Sequence, residues 1–152
     1  EMCIRDRGGV YGTVPAPQKK RSMPYRRITP RDMWVDDPAS PLYNQHFVLK
    51  HDPVTPWEFK QQMKLNDYAH SLKLFIRHNA ADGRQKPVPG AGSSIFFHIW
   101  RRDGGAPTAG CTAMSEENLR AMIAWLDPSR HPLYILLPAR EYLRLRRAWG
   151  LP

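Results

Sequence analysis

The most regular pattern in the chain is Ile95-Phe96-Phe97-His98-Ile99-Trp100. Its two-residue period puts Phe96, His98 and Trp100 on one face and Ile95, Phe97 and Ile99 on the other, which predicts a strand. Leu72, Leu74 and Ile76 alternate with Lys73, Phe75 and Arg77, predicting a second strand with one well-buried face that the chain leaves at His78-Asn79. Two helices are announced by their caps. Thr55-Pro56-Trp57-Glu58 is a capping box with proline at the first helical position, and predicts a helix to about Asp67 with Phe59 and Met63 facing the core. Ser115, followed by Glu116 and Glu117, caps another helix, in which Leu119, Met122, Ile123 and Leu126 form one apolar stripe before Asp127-Pro128 ends it. Leu133 to Leu137 predicts a further strand, and Pro138 opens a last helix carrying Tyr142, Leu145 and Trp149 toward Gly150.

The stretches between are loops. Gly8 to Pro41 is rich in proline, glycine and basic residues, with room for one or two brief strands such as Met33-Trp34-Val35. Ala80 to Ser94 forms a loop long enough to be functional. Because it leads into the His98 strand it is expected to border a binding cleft, with Asn79 and Ser93 as its contacts.

Composition narrows the class. A chain of 152 residues is one domain's worth, expected to bury roughly 70% of the surface its unfolded form exposes. With 41% hydrophobic and 24% charged residues, no run approaches the ~20 apolar residues of a membrane span, so an integral membrane segment is not expected. Fifteen prolines against ten glycines favour short elements joined by rigid loops over a long-helix bundle. The only cysteines are Cys3 and Cys111, which excludes a disulfide scaffold. Glu1 to Arg7 opens with neither an initiator Met nor a signal sequence and reads as a translated assembly scar, so the native portion is expected to be residues 8–152 of a longer protein.

The net charge of +9 points to an anionic partner, either nucleic acid or an acidic polymer such as a cell wall. The cations cluster at Lys19, Lys20, Arg21, Arg26, Arg27 and Arg31 and again at Arg140, Arg144, Arg146 and Arg147, and are equally readable as solvated faces. No zinc-finger spacing, aromatic RNA-binding motif or phosphate loop accompanies them, so nucleic acid is not the expected partner.

A thiol is a useful nucleophile only as thiolate, and its pKa falls near a helix amino terminus or a histidine. The sequence sets Cys111 one short turn before the helix that Ser115 caps, and the sulfur is expected near that helix's amino end. Gly110 allows a sharp turn that aims the amides of Gly110 to Thr112 at a developing oxyanion. His98 is the natural base, since its strand ends at the turn leading to Cys111 and a connection of about ten residues is a hairpin-sized return. The pair is expected to converge in a cleft. The same residues also read plainly as a buried packing cysteine and a core histidine, and chemistry alone leaves both readings open. The six histidines lack the close pair spacing of a zinc site, so no metal is expected.

Ser93-Ser94-Ile95-Phe96-Phe97-His98-Ile99-Trp100 followed by Thr108-Ala109-Gly110-Cys111-Thr112-Ala113-Met114 resembles the L,D-transpeptidase (YkuD-like) catalytic domain, whose signature is a strand histidine and then Ser/Thr-x-Gly-Cys before a helix. Asp36-Asp37-Pro38-Ala39-Ser40, His78-Asn79, Pro89-Gly90-Ala91-Gly92-Ser93 and Trp125-Leu126-Asp127-Pro128 extend the resemblance loosely from about Val10 to Pro152, as in a proteobacterial branch of the family. It implies a β-rich α+β fold, a YkuD-type sandwich or partly closed barrel with about three helices, here lacking some first strands. It also implies acyl transfer without cofactor on peptidoglycan stem peptides, in the periplasm or cell envelope. Cys111 is then the nucleophile and His98 the base, Thr108 orients His98, and amides near Gly110 and Cys111 hold the oxyanion. The commoner motif reads Ser-His-Gly-Cys-x-Arg, whereas this chain has Ala109 and Ala113 at the second His and the Arg, so the substrate-contacting arginine is expected at Arg101 or Arg102. Two alternatives stand beside this reading. One is a basic module that binds wall polymer or nucleic acid and uses Cys111 structurally; the other is a cysteine peptidase that differs from the transferase only in its acceptor.

Overall fold

The two strongest strand patterns pair with each other and organise the rest. The computed structural model describes residues 9–15, 23–81 and 85–152 together with the backbone of residues 2–3. The strands are β1 (Met2–Cys3), β2 (Val10–Gly12), β3 (Tyr25–Arg27), β4 (Asp32–Trp34), β5 (His46–Val48), β6 (Leu72–Phe75), β7 (Phe96–Ile99), β8 (Thr112–Met114) and β9 (Leu133–Tyr134). The helices are α1 (Pro56–Gln61), α2 (Glu116–Trp125) and α3 (Ala139–Leu145). A five-stranded mixed sheet runs in the order β3-β2-β6-β7-β8, β4 and β5 form a two-stranded antiparallel sheet, and β1 pairs with β9. The fold is α+β with an open sheet and no closed barrel, a layered arrangement consistent with a sandwich.

Both faces of the central sheet are covered. On one, Leu72, Leu74, Phe97 and Ile99 pack with Leu119, Ile123 and Leu126 of the α2 region, so the predicted stripe is the buried one. On the other, Phe75 and Phe96 meet Trp34 of β4, with Ile28 and Met63 alongside. The Trp34 ring lies 4.2 Å from Phe75 and 5.0 Å from Phe96, centroid to centroid. Every residue of β6 and β7 is buried as a result, including the polar Lys73 and His98.

Several expectations are corrected here. The capping box forms as read, with Thr55 Oγ1 accepting from the Glu58 amide and Glu58 accepting from the Thr55 amide, but α1 stops at Gln61 rather than Asp67. Gln61 Oε1 accepts from the Asp36 amide while Gln62 turns extended and bridges to Met33, which ends the helix early. Glu58 and Gln61 therefore face inward, Phe59 is left 56% exposed, and Met63 reaches the core from outside the helix. The Leu133 to Leu137 strand shrinks to Leu133–Tyr134, where its partner β1 supplies only two residues. Among its described residues, Gly8 to Pro41 holds three strands rather than one or two. Lys19, Lys20 and Arg21 lie outside the described residues.

The turn between β3 and β4 is tied by a buried carboxylate. Asp32, with no exposed surface, accepts from the Thr29 amide at 2.8 Å, the Thr29 hydroxyl at 2.7 Å, His46 Nε2 at 2.8 Å and Arg26 Nε. Burial pushes this carboxyl up, but the bonds from Arg26, Thr29 and His46 outweigh it and hold the pKa down at about 2. A folded-state pKa below the unfolded one adds stability that is complete above the ordinary 3.8 and is lost as pH falls through the folded value. Melting temperature should therefore drop between about pH 4 and pH 2, and Asp32→Ala should cost roughly 3 kcal/mol at neutral pH while flattening part of that acid slope. Thermal melts of both proteins across that range check it.

Candidate active site

Strand register brings the chemistry-bearing side chains to the face of the central sheet opposite α2. The antiparallel β6–β7 pair sets Lys73 across from His98 and Phe75 across from Phe96. The β7–β8 pair is parallel, with Phe97 opposite Thr112 and His98 opposite Ala113, so Cys111 falls beside Phe96. The connection from His98 to Cys111 is therefore a crossover and not the hairpin expected. It turns through Arg102 and Asp103, both with positive φ.

His98 is 3% exposed, and its Nδ1 lies 2.7 Å from the Ile99 carbonyl oxygen. A carbonyl only accepts, so Nδ1 carries the proton and the Nε2 lone pair is left free to act as a base. The imidazole stacks on His70, with centroids 4.8 Å apart and an interplanar angle of 24°. His70 Nδ1 in turn donates to Asp67 Oδ1 at 2.7 Å, and Arg101 closes the network on the other oxygen of Asp67. Burial lowers the pKa of His98; Arg101 and Lys73 lower it too, against the Ile99 carbonyl and Asp67, which raise it.

The Cys111 sulfur is half-buried against the Trp34, Phe75 and Phe96 cluster. It accepts from the Phe96 amide at 3.4 Å and donates to the Ser94 carbonyl at 3.5 Å. No direct hydrogen bond joins it to His98 among the described residues. Burial holds the thiol pKa above its ordinary value, and the Phe96 amide, Lys73 and Arg101 offset only part of that rise. The predicted help from a helix is absent: Thr112–Met114 is extended as β8 and sets Cys111 about 13 Å of extended chain away from the Ser115 cap. Strand pairing with β7 won over a short turn because it buries the backbone of these three residues in a ladder.

Thr108 and Gly110 build the turn before Cys111. The Thr108 hydroxyl donates to the Cys111 carbonyl at 2.5 Å and accepts from the Gly110 amide at 3.4 Å, so it shapes the cysteine loop, and the Ile99 carbonyl is what holds the imidazole. Gly110 sits at φ 139°, and a Cβ there would meet Ile95 Cδ1 at 3.1 Å.

The four expected substrate contacts divide. Asn79 is engaged in its own loop, donating to the Val88 and Gly92 carbonyls and accepting from the Val88 amide. Ser93 donates to Asp36, and Arg101 is bound to Asp67. Arg102 is exposed and forms no ion pair among the described residues, which leaves its guanidinium available. Arg101 and Arg102 line a cleft of about 490 Å³ with Asp67, Trp100, Asp103 and Glu116. Ile99 also lines it, and neither His98 nor Cys111 is part of its wall, so this cleft does not hold the expected pair.

Asn44 is a residue that sequence reasoning passed over. It is 2% exposed and at φ 53°. Its Oδ1 accepts from Trp34 Nε1 at 2.9 Å and from the Ser94 amide at 3.0 Å, and its Nδ2 donates to the His78 and Asn79 carbonyls. It thereby fixes Ser94, whose carbonyl receives the thiol proton. An asparagine closing a proline-rich loop was the available signal, since Asn tolerates the left-handed conformation and bonds to nearby backbone.

Among the described residues no helix is long and apolar enough to cross a membrane, and no group of three His, Cys, Asp or Glu side chains is arranged to hold a metal ion. In comparisons with known proteins, the family model for the L,D-transpeptidase catalytic domain (YkuD) matches residues 9–135. No curated protein and no solved structure matches the chain.

Proposed function

Because the chain belongs to the YkuD family of L,D-transpeptidase catalytic domains, we propose that it carries out two-step acyl transfer on peptidoglycan stem peptides through a thioester on Cys111. One observation carries the reading: a thiol just before β8 and an imidazole with a free Nε2 on the adjacent β7 lie on one sheet face, near the same two cations, Lys73 and Arg101. In the first half-reaction Sγ bonds to the substrate carbonyl carbon and the bond to the terminal D-amino acid breaks. The thiol proton passes through His98 Nε2 to the departing amine. In the second, an acceptor amine bonds to the carbonyl carbon, the C–S bond breaks, and the amine's proton returns to sulfur by the same imidazole. The cycle needs no cofactor.

Supporting roles follow from the geometry. The turn held by Thr108 and opened by Gly110 aims backbone amides near Cys111 toward the oxyanion. Arg102 is the candidate for a substrate carboxylate, because Arg101 is committed to Asp67, whereas Asn79 and Ser93 act by shaping the loop that carries Ser94. The place of work is the periplasm or cell envelope, where the wall polymer lies. The test is incubation with a stem tetrapeptide and a labelled D-amino acid, followed by exchange at the terminal position and by an acyl-protein mass adduct on Cys111. Absence of both rejects the reading.

The pH profile adds a check. An imidazole pushed below its ordinary 6.5 keeps its lone pair into more acidic solution, so the acid limb of kcat/KM should have its midpoint below pH 6.5. A midpoint above 6.5 contradicts the assignment of His98 as base.

A further inference from the structure

Lys73 has the least ordinary surroundings of the cations described. It is 3% exposed, so its ammonium does not reach water along its own stem. Nζ donates to the Met63 carbonyl at 2.8 Å and lies 5.4 Å from the centre of the Phe96 ring. No carboxylate pairs with it among the described residues. Burying an ammonium without an anion costs several kcal/mol, and the ordinary compensation is a carboxylate at contact distance. What lies around it is the machinery already described: His98 across the strand pair, His70 and Asp67 before β6, Arg101 after β7 and Cys111 before β8. Asp67 is occupied by Arg101 and His70. The remaining group that can take negative charge is the thiol, whose sulfur accepts from the amide of Phe96, the residue whose ring Lys73 covers.

Resting on the acyl-transfer reading, we infer that Lys73 is a positioning residue for that reaction, its buried ammonium serving as the counter-cation of the Cys111 thiolate. The step it assists is the passage of the thiol proton from Sγ to His98 Nε2. Lys73 stays protonated throughout, and no electrons change hands. The need for such a cation follows from β8. With the α2 terminus a strand's length from the sulfur, the helix does not supply the positive field that would lower a thiol pKa. Desolvation pushes the lysine down to about pKa 8, while Cys111 first and Asp67 next pull it up. Below that pH the ammonium holds charge on sulfur; above it the assistance fades.

Two measurements without substrate test the coupling. In Lys73→Met, which retains length and apolar volume, iodoacetamide labelling of Cys111 should show its pH midpoint raised by about one unit, with about tenfold slower labelling at pH 7. Circular dichroism and the melting curve should stay native, since a buried cation replaced by an apolar chain is often neutral or stabilising. A labelling midpoint equal to that of the parent overturns the inference. The second measurement keeps Lys73 in place and so survives any misfolding of the first variant. In ¹⁵N-detected titration of lysine Nζ, Cys111→Ala should lower the Lys73 midpoint by about half a unit or more. An unchanged midpoint overturns the inference as well. These results separate from the parent reading: Lys73-dependent labelling in a protein that exchanges no D-amino acid rejects acyl transfer and supports the coupling, while exchange with Lys73-independent labelling rejects the coupling alone.

Discussion

Cys111→Ser should lose all measurable exchange of a terminal D-amino acid and all acyl-protein adduct while keeping its fold. The substitution preserves size and polarity but replaces a thiol, ordinarily ionising near ~8.5, with a hydroxyl that does not ionise usefully at neutral pH. The structural cost is small: the sulfur makes long contacts of 3.4 Å to the Phe96 amide and 3.5 Å to the Ser94 carbonyl, and a hydroxyl can donate and accept in the same directions. Intact-protein mass spectrometry after incubation with stem tetrapeptide reads the first loss, and a thermal melt reads the second. Full exchange by the serine variant would remove the thioester and return Cys111 to the role of a packing residue in a wall-binding module.

His98→Gln should slow exchange by roughly 10²- to 10⁴-fold without abolishing it, because proton transfer by a positioned base contributes about that much. Glutamine can still donate to the Ile99 carbonyl, which His98 Nδ1 meets at 2.7 Å, so the strand end keeps its hydrogen bond while the free Nε2 disappears. Labelling of Cys111 by iodoacetamide should persist, and the acid limb of the exchange rate should vanish with the imidazole. A variant within threefold of the parent rate would assign the base elsewhere, with His70 the neighbour to examine, since it stacks on His98.

Much of the scaffold of this site was legible in local pattern. The alternation in β7, the stripe of α2 and the capping box of α1 depend on neighbours a few residues apart and each formed, although in α1 Phe59 turned outward and Glu58 and Gln61 took the inner face. Lys73 shows where that reading stops. Alternation set it on the side opposite Leu72 and Leu74, and that side is buried as well, because Trp34 and the β4 region cover a face that one strand's sequence cannot report on. The strand β8 was missed for a related reason: Thr112-Ala113-Met114 has no marked period, and it is extended because β7 offers it a free edge. Cys111 and His98 were visible as chemical types, but the group that orients the imidazole is a main-chain oxygen, which no side-chain motif displays. Asn44 was hidden by distance along the chain.

That distance bears on when the surroundings of Cys111 are assembled. The carbonyl that receives the thiol proton is fixed through a hydrogen bond between residues 50 apart, Asn44 and Ser94, and the sulfur itself sits in a parallel pairing that cannot close locally. Contacts of such long sequence separation carry a large loop-closure cost and form late, after the local helices and turns. A partly folded chain therefore holds Cys111 apart from Lys73, from His98 and from the Ser94 carbonyl that it meets in the folded protein. Assembly of the surroundings of the sulfur thus coincides with completion of the fold.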